Sequence, residues 1–230
     1  MTILHPHLPQ NIPAFAQECL TAIAQAGLGS HLSIGGAFGL AHYYEYRTTH
    51  DIDAWWATDA TRVIRSQIIS VIEKTLSVFG QIRTRAWGDV VSIDLRQNNR
   101  SIFSFQIAAR SILLQAEITG IWQGDIRLDS FEDLIASKMT ALVNRGAPRD
   151  FLDIYTLCEK QLTSISICWQ LWQKRQQLSD ENDDFARAKL AVQANLARIE
   201  ATRPIVNHLP EEYNIRLRNW FKTEFLNGLD

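Results

Sequence analysis

Apolar residues along the chain change period twice. Phe15, Cys19, Ile23 and Ala26 recur at helical spacing, so residues 13–26 predict a helix that Gly27 and Gly29 can end. "HLSIGG" predicts a short strand running into glycine, and "AFGLAHYYEY" a short helix. "DIDAWW" alternates at period two, the pattern of a strand with one buried face. A long amphipathic helix through Phe79 follows, capped by Thr58 or Asp59, with Val63, Ile64, Ile68, Val71, Ile72 and Leu76 as its apolar stripe.

The next section reads as strands: "QIRTRAW", "VVSIDLRQ" and "SIFSFQIAA", with Asn98-Asn99 as a hairpin turn, then a short strand in "GDIRLDS". From Ser130 onward the period is helical. Ser130 and Asp133 have capping-box spacing before "LIASKMTAL", and "NRGAP" separates that helix from "RDFLDIYTLCEK". The pattern is α+β: a small mixed-sheet domain over residues 1–129, followed by a helical domain over 130–230. No Pro/Gly/Ser linker separates them, so the expectation is two packed parts with a cleft between.

Composition narrows the class. The chain has 230 residues, is 46% hydrophobic and 21% charged, and carries a formal net charge of −2. That is the balance of a soluble globular protein without a global basic field. Cys19, Cys158 and Cys168 form no CxxC, which points to a reducing cytoplasm and away from a disulfide framework or zinc site. The start "MTILHPHLPQ" lacks the features of a signal peptide, and no apolar run is long enough to span a bilayer. His42 and His50 lack partners at metal-ligand spacing. Cys158 and Cys168 read as small core residues.

Two constellations carry chemistry. In the first, Gly35-Gly36 follow a strand and open a helix, a geometry that lets backbone N–H groups approach an anion. Asp51 and Asp53 lie at i, i+2 on a strand and share one face. Like charges there repel, and Mg²⁺, which prefers carboxylate oxygens, would relieve the repulsion. The bland alternative is a plain glycine turn beside a solvated Asp pair. In the second, Lys138 and Arg145 sit seven residues apart before the helix break, and Asp150 and Asp153 sit at i, i+3 after it. The bland alternative there is a set of helix-surface ion pairs, such as Arg149 with Asp153.

Together these motifs resemble the nucleotidyltransferase AbiEii/AbiGii toxin family of the polymerase-β-like nucleotidyltransferase superfamily. The matching stretches are the Gly-Gly at a helix start, "YRTTHDID", "DLIASKMTALVNR" and "RDFLDIYTL", in that order, over roughly residues 30–160. The resemblance implies that Gly35 and Gly36 cradle nucleotide phosphates, with Arg47, Thr49, Arg145 and Arg149 also on the nucleotide side. Asp51 and Asp53 would hold Mg²⁺. Lys138 would reach the triphosphate without stabilising the fold, and Asp150 or Asp153 would lie at the acceptor side. The reaction would move a nucleoside monophosphate from a nucleoside triphosphate to an acceptor hydroxyl, in some members the 3′ end of transfer RNA, under restraint by a cognate antitoxin protein. The superfamily's third carboxylate is expected near "FSFQIA", where this chain has Gln106. Asp94 is the alternative, as a third metal-holding and catalytic carboxylate. Two other readings are a catalytically degenerate nucleotide- or partner-binding member, and an antitoxin that adenylylates a partner protein.

Overall fold

The structure is a computed structural model and describes residues 4–110, 112–202 and 209–227. It has the α+β fold the periodicity predicts, in two compact units, Leu4–Leu134 and a second that begins at Ile135.

The first unit is built on a six-stranded mixed sheet. Its strands are β1 (Leu32–Gly35), β2 (Asp51–Trp56), β3 (Gln81–Trp87), β4 (Val90–Gln97), β5 (Arg100–Ala109) and β6 (Arg127–Leu128), in spatial order β3-β4-β5-β2-β1-β6. β2 pairs antiparallel with β1 and parallel with β5. The β4–β5 hairpin turns at Asn98 and Asn99, whose φ values of 49° and 63° are left-handed, a region asparagine tolerates better than most residues.

One face of this sheet is apolar. Ile52, Ala54, Ile93, Leu95, Phe103, Phe105 and Ile107 are all buried. Phe15 of α1 (Ala14–Gln25) meets Phe103, and Thr84 of β3 donates to Glu73 of α3 (Arg62–Ser77), so these two helices cover that face. The opposite face carries the polar half of each alternating strand.

Three local expectations are corrected. The cap of α3 is Thr61, whose hydroxyl accepts from Ile64 N–H at 3.3 Å, and neither Thr58 nor Asp59 serves. Ile68, Ile72 and Leu76 line the buried stripe, but Val63 is 68% exposed, because five residues before Ile68 places it about 140° round the helix. The helix after Gly35, α2 (Gly36–Ala41), stops well short of Tyr46. The Glu45 carboxylate instead accepts from Gln10 and Asn11 N–H, at 2.8 and 2.9 Å.

The second unit is helical. α4 (Phe131–Asn144) starts at the end of the first unit, and α5 (Pro148–Glu159), α6 (Ile165–Leu178), α7 (Phe185–Thr202) and α8 (Glu211–Trp220) follow. Ser130 Oγ caps α4 by accepting from Asp133 N–H at 3.0 Å. The Asp133 carboxylate reaches back to accept from Ser130 Oγ–H at 2.7 Å, and also accepts from Leu114 and Gln115 N–H, at 2.9 and 3.0 Å. Trp169, Trp172, Phe151, Phe221 and Phe225 form the aromatic core of the helical unit. Among the described residues no helix is long and apolar enough to cross a membrane.

Candidate functional site

β2 carries Asp51 and Asp53 on the polar face, both half-buried. Strand register fixes what stands beside each. Asp51 is level with Ser104 on β5, and Ser104 with Asp94 on β4. Asp53 is level with Gln106 on β5 and, on its other side, with Gly35 at the end of β1. In-register partners point to one face, so each carboxylate has a neutral oxygen-bearing neighbour on β5. Ser104 Oγ–H donates to Asp51 Oδ1 at 2.9 Å.

Gly35 and Gly36 turn the chain from β1 into α2. Gly36 has φ +61°, which disfavours any side chain, and a Cβ there would overlap the Asp53 carboxylate. A Cβ on Gly35 would press on the Trp55 indole. The glycine pair therefore brings backbone directly against Asp53, with no side chain between.

Asp94 does not join the pair. β5 lies between β4 and β2, so Asp94 and Asp51 are two strand spacings apart, about 10 Å. Arg85 on β3 donates to Asp94 Oδ2 at 2.8 Å. Gln106 occupies the position level with Asp53. Among the described residues no group of three or more His, Cys, Asp or Glu side chains gathers as a metal site.

Thr49 works locally. Its hydroxyl donates to Asp51 C=O at 3.1 Å and faces Asp51 N–H at 3.3 Å, which fixes the start of β2. The Arg47 guanidinium lies 5.9 Å from the Tyr46 ring centroid.

The helical unit gives each of its candidate acids a basic partner. Lys138 Nζ lies 2.7 Å from Asp153 Oδ2, with the two side chains 7% and 0% exposed. Arg145 forks onto Asp150 through Nε and a terminal nitrogen, both at 2.9 Å, and Asp150 also accepts from Ala147 N–H at 3.0 Å. Asp150 therefore locks the break between α4 and α5. Arg149, on the first turn of α5, is exposed. The expectation that Lys138 stabilises nothing does not hold, because its ammonium neutralises a carboxylate with no access to water.

Sequence reasoning missed Asp129, which follows β6. Its buried carboxylate accepts from Ser33 Oγ–H at 2.8 Å, from Trp55 Nε1–H at 2.9 Å and from Arg110. Burial pushes the Asp129 carboxyl upward against the pull of these three donors. The network lies under Gly35, since Trp55 is two residues beyond Asp53 on the same face and Asp129 N–H donates to Ile34 C=O at 2.9 Å. The only signal was the short strand "IRLD", which could have been set beside β1.

His42, the C-cap of α2, is a buried support. Its Nδ1–H donates to Phe38 C=O at 2.8 Å and its Nε2 accepts from Trp122 Nε1–H at 2.9 Å, which fixes one neutral tautomer. Burial pushes its pKa down to about 4.

The profile of the family described as "Nucleotidyl transferase AbiEii toxin, Type IV TA system" matches residues 18–219. Among solved structures, the chain is similar to MenT4, a nucleotidyltransferase toxin from Mycobacterium tuberculosis H37Rv, at 16% identity and a TM-score of 0.42, covering 95% of this chain and 87% of that one. Among curated proteins none matches.

Proposed function

Because the chain belongs to the AbiEii nucleotidyltransferase toxin family of type IV toxin–antitoxin systems, we propose that Asp51 and Asp53 form its metal-binding centre, that the metal is Mg²⁺, and that the reaction transfers a nucleoside monophosphate from a nucleoside triphosphate to an RNA hydroxyl. The observation that carries this reading is the close approach of Gly36 to Asp53: left-handed glycine backbone at a strand–helix turn lies directly against one carboxylate of the acidic pair.

The donor set fits a hard divalent cation. Two half-buried carboxylates share one face, with the Ser104 hydroxyl and the Gln106 amide level with them, and every potential donor is oxygen. Mg²⁺ keeps several waters, so two carboxylates and substrate phosphates suffice. When bound, it would neutralise charge on the triphosphate and polarise the α-phosphate.

The rest is done by this chain. The acceptor hydroxyl attacks the α-phosphorus in line and releases its proton to solvent; the new P–O bond forms as the bond to the bridging α–β oxygen breaks, and pyrophosphate leaves. Gly35 and Gly36 would position the phosphates through main-chain N–H groups. Ser104 would hold Asp51 in one rotamer. Asp94, already paired with Arg85, is left out as a ligand, and Asp150, with both oxygens bonded, is left out as an acceptor-side group. Lys138 and Asp153, closed on each other inside the helical unit, are given no part in this step. Positioning and charge neutralisation then account for catalysis. The antitoxin implied by the family is a cognate protein partner.

The test incubates the protein with each labelled nucleoside triphosphate, Mg²⁺ and total cellular RNA. Labelled RNA from wild type and none from Asp53→Asn is the expected result. Transfer at full rate by Asp53→Asn would refute the metal assignment.

A further inference from the structure

The polar side chains of the sheet run in register from the carboxylates to the outer edge, exposed at Gln106 on β5 and on β3, with Ser92 and Asp94 of β4 buried between them. One row of in-register side chains runs Asp53, Gln106, Ser92, Arg85, and the next runs Asp51, Ser104, Asp94, Arg83. Both rows end in an arginine on β3, three strand spacings from β2, about 14 Å. β3 is an edge strand, and Arg83, Arg85 and Trp87 are all exposed, Trp87 by 51%.

The charge on this face is one-sided. On this face β3 and β4 place Arg83, Arg85 and Arg96 beside a single carboxylate, Asp94, which Arg85 already neutralises. Arg83 and Arg85 stand two strand residues apart, about 7 Å, and Trp87 continues the line on the same side. A line of cations with an exposed indole at its end suits a flexible polyanion carrying aromatic rings. An acidic polypeptide would use the arginines and leave the indole without a stacking partner.

We propose that the face of β3 and β4 is the track of the acceptor strand: a single-stranded RNA segment lies across it, its phosphates on Arg83 and Arg85 and one base on Trp87, with its terminal hydroxyl at Asp51 and Asp53. This rests on those carboxylates being the reaction centre. It adds the surface, and the direction from which the acceptor arrives, namely over the β3 edge.

The test measures binding of a fluorescent single-stranded oligoribonucleotide at several salt concentrations, with thermal melts to verify folding. Arg83→Ala should weaken binding and reduce the slope of log affinity against log salt by roughly 0.7, one phosphate's share on a single strand. Trp87→Ala should weaken binding roughly five- to a hundredfold with the slope unchanged, and Trp87→Phe should restore most of it. Wild-type affinity in both alanine variants overturns the proposal. So does displacement of the oligonucleotide by poly-glutamate combined with indifference to Trp87→Ala, since the face then serves acidic protein. The transfer assay on the same samples separates the two readings. Transfer by wild type with unchanged binding in the variants sinks the track and keeps the reaction. Binding that depends on Arg83 and Trp87, with no transfer of any nucleotide, keeps the track and sinks the reaction.

Discussion

Lys138 and Asp153 hold each other inside the helical unit, with Nζ 2.7 Å from Oδ2 and almost no solvent at either group. Removing one partner strands the other charge. Lys138→Ala should therefore lower stability by about 3–5 kcal/mol, despite alanine's higher helix propensity. The double variant Lys138→Met with Asp153→Leu should recover most of that loss. Urea unfolding of the three proteins checks this, and a single variant as stable as wild type would remove the buried pair from the account.

Gly36→Ala combines two costs. The left-handed backbone alone disfavours alanine by about 1–2 kcal/mol, and its methyl group must push the Asp53 carboxylate away. Both the melting temperature and the transfer rate should fall. A variant that melts lower but transfers normally would show that Asp53 tolerates displacement.

Ser104→Ala removes the donor that orients Asp51. A hydrogen bond to a charged group contributes about 1.5–3 kcal/mol at most, and this one is half-exposed. The expected effect is a rise of up to roughly tenfold in the Mg²⁺ concentration needed for half-maximal transfer, with an unchanged melt. Ser104→Thr, which keeps the hydroxyl, should behave as wild type.

His42 predicts a pH dependence of stability. Its folded pKa is lowered to about 4 from an ordinary value of 6.5, so below 6.5 the unfolded chain binds a proton that the folded chain refuses. The stability tied to neutral His42 is fully present above pH 6.5 and is lost as pH falls toward 4, on the order of 3 kcal/mol in all. Melts between pH 7.5 and 4 should show this decline, and His42→Phe should flatten that part of the curve.

The elements were legible because their periods are clean. "DIDAWW" and "VVSIDLRQ" alternate, and the structure forms β2 and β4 over those residues. The glycine pair and Asp51 and Asp53 were legible as a candidate site because they lie within nineteen residues on a strand, a helix and a strand. Lateral order was not legible. Whether Asp94 stands beside Asp51 depends on β5 entering between their strands, and no local pattern encodes strand order. Asp129 was hidden for the same reason, since its donors come from residues 33, 55 and 110. Lys138 was misjudged because pairing across a helix break depends on how the two helices turn.

The strand order also sets a sequence of events in time. β3, β4 and β5 are neighbours in the chain and can zip together as a meander, whereas β2 waits for β5, some fifty residues downstream, and Ser33 meets Asp129 across 96 positions. Pairings of that range form late because a large loop must close first. Asp51 and Asp53 thus gain Ser104 and Gln106 as neighbours only after most of the first unit has left the ribosome, and the support beneath Gly35 is complete only when Asp129 arrives. If the carboxylate pair is the reaction centre proposed above, a nascent chain should be inert until its sheet closes, which would give the cell that makes it an interval of synthesis before that centre exists.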